Sequence, residues 1–84
     1  MYYVYVLVSC DTRDLYIGLT QNVDRRLKEH NAGYVKSTHS KRPYELLCCE
    51  QAPDRTAARK KEKEFKKGYK REYFKSLIRG SSAR

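Results

Sequence analysis

Two short β-rich segments at the start of the chain constrain its fold more than any other feature. Residues 2–8 contain neither glycine nor proline, and a second apolar run, 15–19, follows the polar stretch 9–14. Two such runs joined by a short polar segment predict a β-hairpin. Residues of equal parity share a face of a strand, so antiparallel pairing can bring Tyr5 and Tyr16 onto one face. The register that would do so is not fixed by the sequence alone.

A helix is predicted next, over residues 23–31. Asn22 is a favourable N-cap residue, and Gly33 stands where a helix of this length ends. At about 100° per residue, one side of this helix carries an apolar stripe with Arg26 at its edge, while Arg25 points to solvent. The residues of the stripe are Val23, Leu27 and His30.

A third strand is predicted at 44–50, and helical periodicity then continues from 54 to 80, with a break or bend at Gly68. The residues that recur on one face of the first part are Ala58, Glu62, Phe65 and Tyr69, and those that form an apolar face after the break are Tyr73, Phe74, Leu77 and Ile78. Glu62 is therefore a carboxylate on an inward stripe. An unpaired buried carboxylate is costly, so it requires a cation, a hydrogen-bond network or water.

The order of elements is thus ββαβαα, an α/β (more narrowly α+β) fold. We expect a three-stranded mixed or antiparallel sheet flanked by about three helices. Because 84 residues allow one domain, residues 1–80 are predicted to form it. Residues 81–84 are expected to be a frayed tail.

The charge of the chain is unevenly distributed. Residues 1–54 hold seven basic and seven acidic side chains, whereas residues 55–84 hold twelve basic and three acidic ones, which accounts for the net charge of +9. This asymmetry predicts a polyanionic partner, with nucleic acid ahead of membrane. A solvated helix surface is the alternative. No apolar run approaches the roughly 20 residues that span a bilayer.

Cysteine usage and the first residues favour a cytoplasmic protein. Cys10, Cys48 and Cys49 are odd in number, two are adjacent, and their spacing is not that of zinc ligands. We expect reduced thiols that pack as small apolar groups. The first residues lack the basic flank and cleavage site of a signal peptide.

The polar stretch 31–43 is long for a loop in so small a domain. Loops of this length are often functional. We expect it to contact nucleic acid through Lys36, His39, Lys41 and Arg42. A merely solvated loop is the alternative.

Several side chains are candidates for chemistry, although each alone has a structural explanation. Tyrosines are common in strands. Arg26 alone fits a side chain that covers the core edge, and His30 alone fits a helix end. Glu62 alone fits a carboxylate that pairs with Lys or Arg.

Taken together, these residues resemble the GIY-YIG nuclease family. Tyr3-Val4-Tyr5, followed after ten residues by Tyr16-Ile17-Gly18, resembles the paired GIY and YIG elements of that family. The stretch 22–31 is similar to the helix that carries the family's arginine. Glu62, on a later lysine-rich helix, is similar to the glutamate of small stand-alone bacterial members. The resemblance spans about residues 2–78 and extends to the nuclease module of the excinuclease.

The resemblance implies a phosphodiesterase that uses Mg²⁺ or Mn²⁺ and acts on DNA. It also implies that Gly18 is the glycine of the second element, where a missing side chain permits close packing. The metal-binding residue would be Glu62. The residues that correspond to the family's catalytic set are Tyr5, Tyr16, Arg26, His30 and Glu62.

Each of these side chains then has an expected role. Arg26 would grip non-bridging phosphate oxygens, and Tyr16 would position the phosphate or the water. Tyr5 would be the general base or would orient the water, and a base role requires nearby positive charge because the pKa of a free phenol is about 10. His30 would be a proton acceptor or a phosphate donor. Phosphate contacts without sequence specificity are expected from Lys63, Lys66 and Lys67.

The sequence departs from the family pattern at two points. Tyr3 stands where the family name has Gly, and Asn22 and Asn31 are the only asparagines, whereas many family nucleases carry one near the end of the domain. The leading interpretation is a metal-dependent DNA endonuclease of low sequence specificity, in repair or recombination by analogy. The alternatives are a non-catalytic nucleic-acid-binding module of the same fold and an accessory protein-interaction subunit.

Overall fold

Three strands build one antiparallel sheet. The structure is a computed structural model that describes residues 1–82, with only the backbone described for 79–82. Strands β1 (Tyr2–Ser9) and β2 (Leu15–Thr20) form the predicted hairpin, and β3 (Tyr44–Ala52) pairs with the other edge of β1. The strand order is β2-β1-β3, and both pairings are antiparallel. Of the two predicted arrangements, the antiparallel one is confirmed.

Helix α1 (Val23–Ala32) begins and ends at the predicted signals. The side chain of Asn22 accepts a hydrogen bond from the backbone N–H of Arg25, which satisfies a free donor of the first turn. Gly33 ends the helix with φ of +88°, a left-handed conformation that glycine adopts without steric cost.

Two further helices follow β3. Asp54 caps α2 (Arg55–Phe65) by accepting from the backbone N–H of Ala57, and α3 (Gly68–Ser82) begins at the glycine where a break was predicted. The order ββαβαα is confirmed. Helix α3 thus extends two residues into the predicted tail, and residues 83–84 lie outside the described residues.

The sheet has a core on each face. On one face, valines and an isoleucine of the hairpin pack against α2 and α3, with Ala58, Phe65 and Phe74 buried there. On the other face, Tyr5, Leu7 and Tyr44 pack with residues of α1. The second face carries most of the predicted catalytic side chains, so α1 positions the site while α2 and α3 support the sheet from behind.

Two tyrosines of α3 do not lie where the periodicity placed them. Tyr69 is 61% exposed and Tyr73 is 53% exposed, whereas the neighbouring Phe74 is 2% exposed. The prediction of inward faces for both was wrong. Tyr69 lies in a separate helix after Gly68, so the stripe of α2 does not continue to it, and in α3 the buried position is Phe74 and not the adjacent Tyr73. Glu64 accepts a hydrogen bond from the Tyr69 hydroxyl at the surface.

The stretch 31–43 is tied to the sheet at both ends. The Asn31 side chain donates to the carbonyl of Tyr44 at 3.0 Å and accepts from its N–H at 2.7 Å. Ser9 Oγ donates to the carbonyl of Lys41 at 2.7 Å, within a short 3₁₀ helix, His39–Lys41. These bonds hold the loop beside the C-terminal end of α1. Among the described residues, no helix combines the length and apolar character needed to cross a membrane.

Candidate active site

Gly18 makes room for the central tyrosine of the site. Tyr5 pairs with Gly18 and Leu7 with Tyr16 in the hairpin register, so the two tyrosines share a face, as expected. Their ring centroids are 6.2 Å apart. A Cβ at Gly18 would lie 2.8 Å from Tyr5 Oη and 3.2 Å from Tyr16 Cε2. The Tyr5 ring therefore occupies the space that any other side chain at position 18 would fill.

A buried hydrogen-bonded chain leads from Tyr5 into the loop. The Tyr5 hydroxyl lies 3.0 Å from Nε2 of His30, and Nδ1 of His30 lies 2.7 Å from Oγ1 of Thr38. His30 is 0% exposed and Thr38 is 1% exposed. The imidazole also meets the Tyr16 ring edge-on, with centroids 4.9 Å apart. One strand, one helix and one loop thus meet at His30.

Arg26 adds positive charge at the rim of this chain. Its guanidinium donates to Glu29 Oε1 at 3.0 Å. The pKa of Arg26 is raised above its ordinary value, mainly by the neighbouring Tyr5 hydroxyl and next by Glu29. The Arg26 side chain is 36% exposed and that of Arg25 is 73% exposed, which agrees with the predicted division between the two arginines.

Burial dominates the protonation of Tyr5 and His30. It raises the pKa of Tyr5, and the neighbouring Arg26 opposes that rise without cancelling it. Burial also lowers the pKa of His30, the charge of Arg26 lowers it further, and Glu29 acts in the opposite direction. At neutral pH both groups are therefore uncharged. The positive charge that a base role for Tyr5 requires is present, but it is outweighed in the free protein.

Glu62 belongs to α2, the helix whose buried residues pack on the other face of the sheet. Its side chain is 17% exposed and its carboxylate lies 3.3 Å from Lys66 Nζ, so the predicted cation partner is a lysine one turn away. The negative charge of Glu62 makes a minor contribution to the raised pKa of Tyr5. Within residues 1–82, no three His, Cys, Asp or Glu side chains are grouped as a metal site. A metal at Glu62 would therefore take its other ligands from water and phosphate.

The predicted phosphate-contacting residues lie in two groups at the surface. In the loop, Lys36 and His39 are exposed, Lys41 pairs with Asp14 at 2.7 Å, and Arg42 donates to the carbonyl of His39. In α2 and directly after it, Lys63 is exposed, Lys66 pairs with Glu62, and Lys67 pairs with Glu64 at 3.4 Å. The six predicted residues other than Lys66, which pairs with Glu62, are all exposed at the surface.

Two residues of the site were not identified from the sequence. Thr38 lies in a polar loop where nothing local distinguishes it from its neighbours, yet it is the partner of His30 Nδ1. Tyr44 is 4% exposed, and its ring centroid lies 6.2 Å from that of His30. Its position at the start of a predicted strand is the one clue that it belongs to a core.

Comparison with known proteins shows the family to which the chain belongs. The sequence model of the GIY-YIG catalytic domain matches residues 1–75, which include every residue of the site. The chain belongs to the GIY-YIG family. The domain of this family is typical of endonucleases, so the chain carries a nuclease-type domain.

Relatives of this GIY-YIG chain are small proteins of similar length. A UPF0213 protein of Natronomonas pharaonis is 46% identical over 66 residues, which cover 77% of this chain and 76% of the relative. One from Syntrophus aciditrophicus is 40% identical over 67 residues, with the same coverage of both chains. The solution NMR structure of a UPF0213 protein from Bacillus halodurans has a TM-score of 0.53 and 36% sequence identity, and covers 92% of this chain and 85% of its own. The fold and the family of the chain are thereby shown.

Proposed function

We propose that this GIY-YIG protein is a metal-dependent endonuclease that hydrolyses phosphodiester bonds in DNA, in the cytoplasm, with low sequence specificity. The supporting observation is the gathering of Tyr5, Tyr16 and His30 over Gly18, with Arg26 at the rim. A role in repair or recombination rests on analogy with the nuclease module of the excinuclease.

The proposed roles follow from the chemistry of each group. Arg26 has only donors and stays charged, so it binds the non-bridging oxygens of the phosphate. Tyr5, whose pKa is influenced by the charge of Arg26, orients the attacking water with its oxygen. His30 is neutral and lies 3.0 Å from the same oxygen, which makes it the proton acceptor of the site. Tyr16 positions the phosphate beside them.

Glu62 is the residue proposed to hold the divalent metal. A carboxylate that is largely covered and whose charge contributes to the raised pKa of Tyr5 fits a hard cation such as Mg²⁺ or Mn²⁺. Lys66, which neutralises Glu62 in the free protein, would be displaced or turned towards phosphate. A bound metal supplies a Lewis acid for the phosphoryl oxygens and a more acidic water.

Low specificity follows from the kind of contacts that the surface offers. Lysine and arginine side chains bind backbone phosphate, which is the same at every base pair. The proposed contacts in the loop come from Lys36, His39, Lys41 and Arg42, and those near α2 come from Lys63, Lys66 and Lys67. Binding through these groups depends strongly on salt concentration.

The second candidate is a nucleic-acid-binding module that does not cut. This candidate is supported by the structural roles of both asparagines: Asn22 caps α1, and Asn31 forms hydrogen bonds with the backbone of Tyr44. Neither lies near the end of the domain, where many family nucleases carry one. A module of this kind would retain the basic surface and lose turnover.

The deciding experiment is cleavage of labelled single-stranded, duplex and branched DNA with Mg²⁺, Mn²⁺ or EDTA. We expect metal-dependent cleavage that Tyr5→Phe and Glu62→Gln each reduce by about 100-fold or more.

Glu64→Gln is the matched control for Glu62→Gln, because it removes the same charge from the same helix at a side chain that is 43% exposed. Tyr34→Phe, at a position 82% exposed, is the control for Tyr5. Metal-independent binding with no cleavage by any of these proteins would favour the binding module instead.

A further inference from the structure

The hydrogen-bonding groups around Tyr5 permit one assignment of its proton. A phenol has one O–H donor and accepts through the oxygen, whereas a guanidinium has donors alone. Arg26, whose side chain influences the pKa of Tyr5, therefore cannot accept the Tyr5 proton. The available acceptor is Nε2 of His30, at 3.0 Å.

This assignment determines the tautomer of His30. A neutral imidazole carries one proton, so an Nε2 that accepts from Tyr5 leaves the proton on Nδ1. Nδ1–H then needs an acceptor in a site that is 0% exposed, and Thr38 Oγ1 lies 2.7 Å away. The Thr38 hydroxyl donates its own proton to the carbonyl of Val35 at 3.4 Å. Each hydrogen-bonding proton of Tyr5, His30 and Thr38 therefore has an acceptor.

We propose that Thr38 is a positioning residue that holds His30 in the Nδ1–H tautomer, so that Nε2 remains free to take the proton of Tyr5. The catalytic part of this proposal rests on the proposed nuclease function, whereas the tautomer is a property of the free protein. Thr38 touches neither the water nor the phosphate in this arrangement. It acts through His30.

The opposite tautomer would reverse the direction of the hydrogen bonds. An Nε2–H would donate to the Tyr5 oxygen. The Tyr5 proton would then point out of the site, and Tyr5 would become a donor towards the water. The water would lose its proton acceptor, so hydrolysis would slow although DNA still binds.

Among the described residues, Thr38 Oγ1 is the only hydrogen-bond partner of His30 Nδ1. The rings of Tyr5, Tyr16 and Tyr44 surround the imidazole, with centroids at 5.9, 4.9 and 6.2 Å. The charges that act on His30 come from Arg26 and Glu29, both in α1. A neutral hydroxyl at Nδ1, in place of a carboxylate, fixes the tautomer without stabilising an imidazolium.

The first test uses the wild-type protein, with no variant that might unfold. Nitrogen-15 NMR at pH 7.5 distinguishes the two tautomers by the shifts of the protonated and unprotonated ring nitrogens, and a His39→Gln protein assigns the two histidines. We expect His30 with a proton on Nδ1 and a bare Nε2. A proton on Nε2, or fast exchange between the tautomers, would overturn the proposal whether or not the protein cleaves DNA.

The second test separates positioning from structure by a pair of substitutions at Thr38. Thr38→Ser keeps the hydroxyl, and we expect the wild-type NMR signature and at least half of the wild-type kcat. Thr38→Val keeps the shape and removes the acceptor, and we expect mixed tautomers with kcat lower by about 10- to 100-fold and KM within about twofold. Equal kcat in the Ser and Val proteins would refute the role of the hydroxyl. A wild-type protein that does not cleave would refute the nuclease proposal and leave the NMR test standing.

Discussion

Gly18→Ala tests the geometry of the site with a single methyl group. The new Cβ would lie 2.8 Å from Tyr5 Oη and 2.9 Å from its Cζ, and ordinary contact begins at 3.4 Å, so the Tyr5 hydroxyl has to move by about 0.6 Å. Tyr5 is 2% exposed and its hydroxyl is bound to His30. The ring therefore has little free space into which it can shift without disturbing that bond.

The expected effect on stability is modest. Overpacking of a core by a methyl group costs about 1–3 kcal/mol. Alanine in a strand is about 0.5–1 kcal/mol more favourable than glycine, and Gly18 has no left-handed backbone conformation that would oppose the change. The net loss is thus on the order of 0–2.5 kcal/mol, which leaves the protein folded. The effect on rate is larger, because a misplacement of about 1 Å costs roughly 100-fold.

The assay combines urea unfolding with DNA cleavage by the same preparations. For Gly18→Ala we expect cleavage lower by about 10- to 100-fold in a folded protein. Gly68→Ala is the matched control, since a Cβ there meets nothing within 4 Å at the start of α3. A folded Gly18→Ala protein with wild-type cleavage would refute the idea that the position of the Tyr5 hydroxyl limits the reaction.

Three further perturbations follow from the same geometry. Arg26→Lys should lower cleavage about 10- to 100-fold through loss of the planar donor fork, while Arg25→Lys, at a side chain 73% exposed, should change it less than twofold. Folding lowers the pKa of His30. Its contribution to the free energy of unfolding is therefore complete above about pH 6.5, and that contribution is lost as the pH falls through the folded pKa. The free energy of unfolding, measured with urea, should therefore fall between pH 6.5 and 5 by up to about 1.4 kcal/mol per pH unit more in wild type than in His30→Gln; parallel curves would contradict the assignment. The slope of log K against log salt for DNA binding should decrease by about one for each lost phosphate contact when Gln replaces Lys63, Lys66 and Lys67, and an unchanged slope would remove these lysines from the interface.

Local signals in the sequence were sufficient to predict the elements of the fold. Asn22 and Gly33 mark the ends of α1 because capping depends on a few neighbouring backbone groups. The break at Gly68 is equally local. The end of β3 is not, because the strand continues to Ala52 through its pairing with Tyr2, fifty positions earlier in the chain. A long-range partner of this kind leaves no pattern within the strand itself.

The sequence predicted most of the side chains that meet at the site, but it did not predict their protonation states. Strand parity allowed Tyr5 and Tyr16 to share a face, which the observed register confirms, and the helical wheel placed His30 inward. The raised pKa of Tyr5 depends on how completely three separate elements cover the ring, which no spacing in the sequence encodes. Thr38 was missed for the same reason, because its burial arises when the loop packs beneath α1.

The protonation of Tyr5 and His30 restricts how the proposed base can act. The ordinary pKa values of the two side chains differ by about 3.5, which corresponds to about 5 kcal/mol, and burial moves them further apart. A separate step that leaves a tyrosinate beside an imidazolium is therefore too costly to be populated. In the proposed mechanism, the Tyr5 oxygen therefore takes the proton of the water that it orients while its own proton passes to His30, in one event. If the protein works in this way, we expect the direction of the Tyr5–His30 hydrogen bond to matter more for turnover than the pKa of either group alone.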